Sequence, residues 1–511
     1  MSDAVAAPAP LSRWAALAAA LATGLLIAAP WLDFSLWPLA WVAFAPLLLA
    51  LERAGSRRQA LRLGFVAGLA TNIPAFFWLV YTMHVFGGFP YVLALFLYAC
   101  LSALSATQFV LFAAGVRALG FGPLGLAVPV LWVALEFLFP NLFPWRMGNS
   151  QFEATLLLQS GDLAGPYLLS FVLLWASAGL ALALRKPRRW PPLAAAGAAA
   201  ALLVAYGLWR MPMVQVAIDA ARVVQVGLVQ GNIGLREKGN IALFEINLDT
   251  YRALSAPLQD RVDLLIWPES VAQEWVEGGT ARLPTEAHPY PGTRAPLLYG
   301  GLAFEYPPPG GQPRLFNSAF LIDGAGKVYG RYDKRVLLPF GEYIPGASLL
   351  PWLYSLSPQT GQFTPGDGLV TLDLPGKLRL APLICYEDVP ADGARTMTAN
   401  GADLLLTIFN DAWFGNSMAP YQHEAIAVWR AVENRRYFVR VGNAGVTGLV
   451  DPFGRVLARL GMFTAETLRA EVRPLHLATV YTRVGDVFAW TVTAVAAAWL
   501  LWRRWRARSA G

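Results

Sequence analysis

The sequence predicts a multi-span α-helical membrane domain joined to a water-exposed α/β domain, and three observations carry that prediction. The chain is 56% hydrophobic and only 14% charged, with a mean hydropathy of +0.45, too apolar for an ordinary soluble protein. The apolar material is uneven: long uncharged runs fill 12–210 and recur at 485–502, whereas 222–475 has soluble character. Within 222–475, short β-rich runs alternate with helix-like stretches. The expected layout is a transmembrane domain over 1–210, a soluble domain over 211–484, and a last span with a basic tail over 485–511.

A span needs about 20 mostly apolar residues. Eight stretches qualify: 12–30, 34–51, 63–83, 90–114, 121–139, 166–184, 191–209 and 485–502. The first is followed by another span rather than by a small-residue cleavage site and a soluble domain, so it is not read as a signal peptide. Basic residues follow every second span: Arg53, Arg57, Arg58 and Arg62; Arg117; Arg185, Lys186, Arg188 and Arg189; Arg503, Arg504, Arg506 and Arg508. By the positive-inside rule both termini are cytoplasmic and the 222–475 domain lies on the opposite face. In a bacterial inner membrane that face is the periplasm. The formal net charge of +7 is thereby explained by topology, not by nucleic acid. Glu136, near the outer end of the fifth span, fits either a functional carboxylate or one that snorkels to the interface. No chemistry is assigned to the loop 140–165.

The soluble domain opens with the apolar run 222–229 and continues through 263–267, 297–304, 317–323, 378–385, 402–409 and 438–450. Helix-like stretches lie at 241–255 and 420–436, and Asp323-Gly324-Ala325-Gly326 is a hairpin turn. Such alternation argues an α/β or layered α+β domain with its own core.

Three strand ends carry reactive residues. Leu264-Leu265-Ile266-Trp267-Pro268-Glu269 ends on a carboxylate, Tyr332-Asp333-Lys334-Arg335 follows a hairpin strand, and Leu383-Ile384-Cys385-Tyr386-Glu387-Asp388 ends on a thiol. Singly, each has a bland reading: a solvated turn, a surface lysine, a buried structural cysteine. Together they supply the parts of acyl transfer through a thioester. A thiol with a pKa of about 8.5 is mostly protonated at neutral pH and needs a base or a neighbouring cation. Glu269 can be the base, Lys334 the cation, and the main-chain N–H of Tyr386 a donor to the oxyanion. With four histidines in the chain, of which only His423 falls within a motif, a Cys–His pair is not favoured. Two cysteines, Cys100 and Cys385, make no disulfide framework.

The order Glu269, Lys334, Cys385 within WPES, YDKR and LICYED resembles the nitrilase, or carbon–nitrogen hydrolase, superfamily. Asn410-Asp411-Ala412-Trp413-Phe414-Gly415 and Asn443-Ala444-Gly445 fit the same pattern. Such a domain placed after seven spans and before a last one is similar to the apolipoprotein N-acyltransferase family. The resemblance implies an α-β-β-α sandwich, a Glu-Lys-Cys triad and a two-step reaction. An acyl chain passes from a phospholipid, preferably phosphatidylethanolamine, to Cys385, and then to the α-amino group of an apolipoprotein's S-diacylglyceryl cysteine. It further implies supporting roles for Glu342, Tyr386 and Glu387. The chain departs from the family pattern at Gly239, where a tryptophan is expected.

Transfer to an amine requires a thioester kept from water. The loop 339–365 carries Tyr343, Ile344, Leu349, Leu350, Trp352, Leu353 and Tyr354 between proline and glycine hinges. It reads as a lid that dips into the membrane, or as a loop packed on its own domain. Trp413, Phe414 and Met418 read as a second apolar wall or as part of a tight structural turn, and Asn410 of the same motif is expected among the substrate-binding residues. Arg430, Glu433, Asn434, Arg435 and Arg436 read as an internal salt-bridge set rather than a headgroup site. No zinc spacing, phosphate-binding loop or dinucleotide fingerprint occurs, so no metal or cofactor is expected. Two rival readings use the same residues: a membrane-anchored amidase with water as acceptor, and a catalytically silent scaffold.

Overall fold

The computed structural model describes residues 11–141, 143–185, 189–306, 311–356 and 360–509. The chain divides into two compact units. One comprises Met1–Tyr81, Phe89–Met211 and Val484–Gly511; the other comprises Thr82–Gly88 and Pro212–Arg483.

The first unit is helical. Among the described residues, five helices are long and apolar enough to cross a membrane: Arg13–Leu32, Phe34–Glu52, Tyr91–Leu119, Gly161–Leu184 and Pro191–Ala220. The expected span 63–83 is instead a broken pair, Arg57–Ala75 and Trp78–Val85, bent by 59°, which raises the number to six if the pair counts as one span. Pro74 lies in the last turn before the break, and its missing N–H and ring explain why a straight helix stops there. The expected spans 121–139 and 485–502 correspond to the shorter apolar helix Pro123–Leu138 and to Val487–Ser509, whose last turns carry four arginines. Of the basic residues read for topology, Lys186 and Arg188 lie outside the described residues.

Small residues set the spacing of these helices. A Cβ at Gly24 would come within 2.4 Å of Ala70, and one at Gly68 within 2.6 Å of Ala106. Glu136 is buried and accepts hydrogen bonds from Trp132 Nε1 and the main-chain N–H of Met147, both at 2.7 Å. It therefore ties its helix to the 146–151 turn inside the unit and does not snorkel. Cys100 sits on an exposed face.

The second unit contains two packed sheets. The strands are β1 (Val224–Gln230), β2 (Leu264–Ile266), β3 (Trp275–Glu277), β4 (Leu297–Glu305), β5 (Arg314–Ile322), β6 (Val328–Asp333), β7 (Leu372–Leu374), β8 (Leu378–Ile384), β9 (Leu404–Phe409), β10 (Phe438–Gly442), β11 (Gly448–Val450), β12 (Val456–Arg459) and β13 (Glu466–Val472). One sheet runs β13-β1-β2-β4-β5-β6, with β3 added beside β4; the other runs β12-β11-β10-β9-β8-β7.

The pleat of period two explains the layers. Leu264 and Ile266 of β2, Leu298 of β4, and Ala319 and Leu321 of β5 pack against Leu380, Ile384, Leu406 and Ile408 of the other sheet. Their alternates Leu265, Leu297, Phe320 and Ile322 turn outward and join Leu248 and Tyr251 of the helix Phe244–Ser255. On the outer side of the second sheet lie Ala391–Ala399 and Ala419–Asn434. This is the α-β-β-α sandwich. The run 438–450, read from the sequence as one strand, is two antiparallel strands, with Phe438 opposite Val450. The intervening Asn443-Ala444-Gly445 makes the reversal.

Candidate active site

β2, β6 and β8 all end at one place, and residues within three positions of those ends carry the chemistry. Past β2 the chain turns sharply: Ser270 has φ 51°. Gly300 permits the turn, because a Cβ there would lie 2.5 Å from Ser270 N and 2.6 Å from Glu269 Cα. Past β6, the N–H of Lys334 bonds to Asn317 O at 2.8 Å. Past β8, Cys385 sits at φ 53° and opens a single 3-10 turn, Cys385–Asp388. A left-handed backbone at a non-glycine residue is uncommon and costs of order 1–3 kcal/mol, so the surroundings must impose it.

Glu387 is one such constraint. Its Oε1 accepts from the N–H groups of Arg335 (2.7 Å) and Val336 (3.0 Å) and from Tyr332 OH (2.9 Å), and its Oε2 from Ile384 N (2.9 Å). One buried carboxylate thus staples the cysteine turn to the segment following Lys334.

Lys334 is 2% exposed, and its Nζ lies 3.3 Å from Glu269 Oε1 and 2.9 Å from Glu342 Oε2. Asn317 Nδ2 stands between the two carboxylates, 2.8 Å from each Oε1. Burial alone would depress the lysine, but Glu269 and Glu342 override it and hold the ammonium well above the ordinary lysine value. Burial, reinforced by Glu269, pushes the Cys385 thiol well up, and Lys334 opposes them.

These groups line one cavity of about 320 Å³. Glu269, Asn317, Lys334, Glu342, Cys385 and Asn410 supply its polar wall. Phe86, Leu338, Phe363, Trp413 and Phe414 supply an apolar one. Phe86 belongs to the Thr82–Gly88 segment of this unit and meets Trp413 edge to face at 4.5 Å, while Thr82 Oγ1 donates to Trp413 O at 3.2 Å. Trp413 and Phe414 are therefore a wall and a turn at once. From the loop 339–365 the cavity takes Gly341, Glu342 and Phe363. Tyr343, Ile344, Trp352 and Tyr354 do not line it: Ile344 packs inward, Trp352 is 57% exposed, and 357–359 lie outside the described residues.

Sequence reasoning missed Asn317, which lies within β5 and carries no motif. It also missed a buried ionic cluster behind the cysteine. His423 places Nε2 2.6 Å from Asp388 Oδ1 and Nδ1 3.3 Å from Asp411 Oδ1, and Arg440 bonds the other oxygen of Asp388. An imidazole whose two nitrogens both face carboxylates is doubly protonated. Burial disfavours that charge, but Asp388 and Asp411 outweigh it and raise His423 to about 9. Asp388 is held below the usual carboxylate range despite its burial, by His423 and Arg440. The cluster joins the cysteine turn to the Asp411–Phe414 turn. Arg430 and Glu433 pair at 2.6 Å, as the salt-bridge reading expects, whereas Arg435 and Arg436 bond main-chain carbonyls.

A carboxylate, a buried lysine and a thiol at the carboxyl ends of strands in an α-β-β-α sandwich are the features of a carbon–nitrogen hydrolase domain, and the profile described as "Carbon-nitrogen hydrolase" matches residues 225–480. The profile described as "Apolipoprotein N-acyltransferase N-terminal domain" matches residues 23–179. Relatives named apolipoprotein N-acyltransferase include one from Geobacter metallireducens, 36% identical with 94% of this chain and 93% of the relative covered. Another, from Azotobacter vinelandii, is 35% identical with 97% and 96% covered. A solved structure, the Saccharomyces cerevisiae nitrilase-superfamily member Nit3, aligns at 18% identity and a TM-score of 0.37 over 50% of this chain and 91% of that one. The chain belongs to the apolipoprotein N-acyltransferase family. It is a bacterial membrane acyltransferase that N-acylates lipoproteins.

Proposed function

We propose that the acyl donor is a glycerophospholipid, with phosphatidylethanolamine preferred, and that the chain is carried as a thioester on Cys385. Glu269 takes the thiol proton. Lys334 and the main-chain N–H of Tyr386 face the oxyanion of each tetrahedral intermediate. Glu269 returns that proton to the departing glycerol oxygen as the lysophospholipid leaves; the α-amino group of an S-diacylglyceryl cysteine then attacks the thioester, gives its proton to Glu269, and expels the Cys385 thiolate, which Glu269 reprotonates. Glu342 holds Lys334, and Glu387 holds the cysteine turn. One observation carries this reading: Lys334 bridges Glu269 and Glu342 at 3.3 and 2.9 Å on the wall of the cavity that Cys385 also lines.

The arrangement within the membrane belongs to the same proposal: spans 1–7 within 1–210, the catalytic domain at 211–484 in the periplasm, an eighth span and basic tail at 485–511, and both termini cytoplasmic. Tyr343, Ile344, Trp352 and Tyr354 belong to a lid at the bilayer surface. Leu349 at 84% and Trp352 at 57% exposure support this, since such side chains gain by entering lipid.

Incubation of purified protein with phospholipid alone is expected to raise the mass of Cys385 by one acyl chain, reversibly with hydroxylamine. Active protein without this adduct would sink the thioester scheme, and release of free fatty acid in the presence of acceptor would favour the amidase reading. A reporter fused near residue 300 is expected to read as periplasmic.

A further inference from the structure

Lys238 enters the same cavity from the short helix Leu235–Lys238, and the reaction proposed above leaves it unused. Its Nζ donates to the main-chain oxygen of Glu269 at 2.8 Å, and Gln273 Nε2 donates back to the oxygen of Lys238. The helix is thereby fixed against the loop that carries Glu269. An ammonium has three donors, and the partner identified for this one is a neutral carbonyl. Lys334, the other lysine of the lining, is saturated by Glu269 and Glu342. Lys238 has no carboxylate in salt-bridge range among the described residues. It nevertheless senses Glu269 and Cys385, and burial against them brings it down to about 8, so it remains largely charged at neutral pH.

A half-buried cation without an anion is costly unless a ligand supplies one. Of the two proposed substrates, the donor brings an anion, the phosphodiester on its glycerol, close to the ester that Cys385 attacks. The acceptor's diacylglyceryl cysteine brings none.

We infer that Lys238 is the residue that binds the phosphate of the lipid donor. This rests on the phospholipid reading given above. Lys238 then contributes to donor capture and selects phosphate-bearing lipids over neutral glycerolipids. It takes no part in the bond changes at Cys385.

The test uses the full chain in detergent and follows the Cys385 thioester by intact mass, with either phosphatidylethanolamine or a phosphate-free activated donor, p-nitrophenyl palmitate. For Lys238→Met we expect the phospholipid concentration giving half-maximal acylation to rise at least tenfold. Its saturating rate and its acylation by the nitrophenyl ester should stay within threefold of wild type. Lys238→Arg should restore most of the phospholipid affinity. An equal loss with both donors would make the lysine a support for the Glu269 loop, and unchanged half-saturation would remove it from donor binding; either result overturns the inference. Wild-type protein acylated by the nitrophenyl ester but never by phospholipid would instead overturn the donor assignment.

Discussion

Replacing His423 by glutamine tests whether the buried cluster is an ionic clamp. In the folded protein the imidazolium is raised from 6.5 to about 9. A group raised above its unfolded value stabilises fully below that unfolded value, and the contribution fades as pH climbs through the folded one. The window is therefore pH 6.5 to about 9. At about 1.4 kcal/mol per pH unit, the shift corresponds to roughly 3 kcal/mol at pH 6, most of it gone by pH 9.5. On a scale of about 2–4 °C per kcal/mol for domains of this size, the variant should melt roughly 6–12 °C below wild type at pH 6. The gap should narrow steadily toward pH 9.5. Thermal melts of both proteins in the same detergent at half-unit pH steps measure it directly, and taking the difference cancels the tyrosines and lysines that titrate in both. A gap that is constant with pH, or that widens, would refute the charged-imidazolium assignment. It would leave His423 as a neutral hydrogen-bonding spacer.

Three further outcomes follow from the site. Cys385→Ala and Cys385→Gly should both abolish thioester formation, and the glycine variant should melt above the alanine one, because only glycine relaxes at φ 53°; equal midpoints would show that the turn stores no strain. Lys334→Met should lose transfer and be destabilised by about 3–5 kcal/mol, since Glu269 and Glu342 then face each other with Asn317 alone between them. The same change should shift iodoacetamide alkylation of Cys385 to higher pH, because Lys334 is the neighbour that lowers the thiol. Gly300→Ala should reduce the acylation rate at least tenfold with secondary structure retained, as a Cβ would displace the Glu269–Ser270 turn; a rate near wild type would mean that the loop tolerates the shift.

The strand ends were legible because a short apolar run declares where it stops: Lys334 and Cys385 stand immediately beyond their strands, and Glu269 stands three residues beyond Ile266. What the sequence could not give was reach. Asn317 touches Glu269 across 48 positions and His423 touches Asp388 across 35, and no local pattern encodes a side-chain contact between segments so far apart in the chain. Lys238 was hidden for the same reason, beside the Gly239 that had drawn notice only for a missing tryptophan. The lid residues are the converse case. The apolar character of Tyr343, Ile344, Trp352 and Tyr354 was plain, yet hydrophobicity alone does not distinguish the wall of a cavity from the outer surface of a loop. The break after Pro74 was not legible either, because a predominantly apolar run from 63 to 83 looks the same whether its helix is straight or broken.

Two carboxylates around one lysine have a consequence for the proposed chemistry. In the resting site, burial and Glu269 keep Cys385 protonated, and the positive charge of Lys334 is spent on Glu269 and Glu342. When the thiol proton moves to Glu269, the total charge of the site does not change, but one partner of the lysine becomes neutral and a thiolate takes its place. Lys334 is thus released toward sulfur at the moment when negative charge develops there, and toward the oxyanion as that charge moves on to the substrate. Glu342 must keep its charge throughout, holding the lysine so that it redirects without departing. Had the site contained only Glu269, neutralising it would have left a buried ammonium with no fixed anion. In this scheme the second glutamate is the anchor that lets the first act as a base.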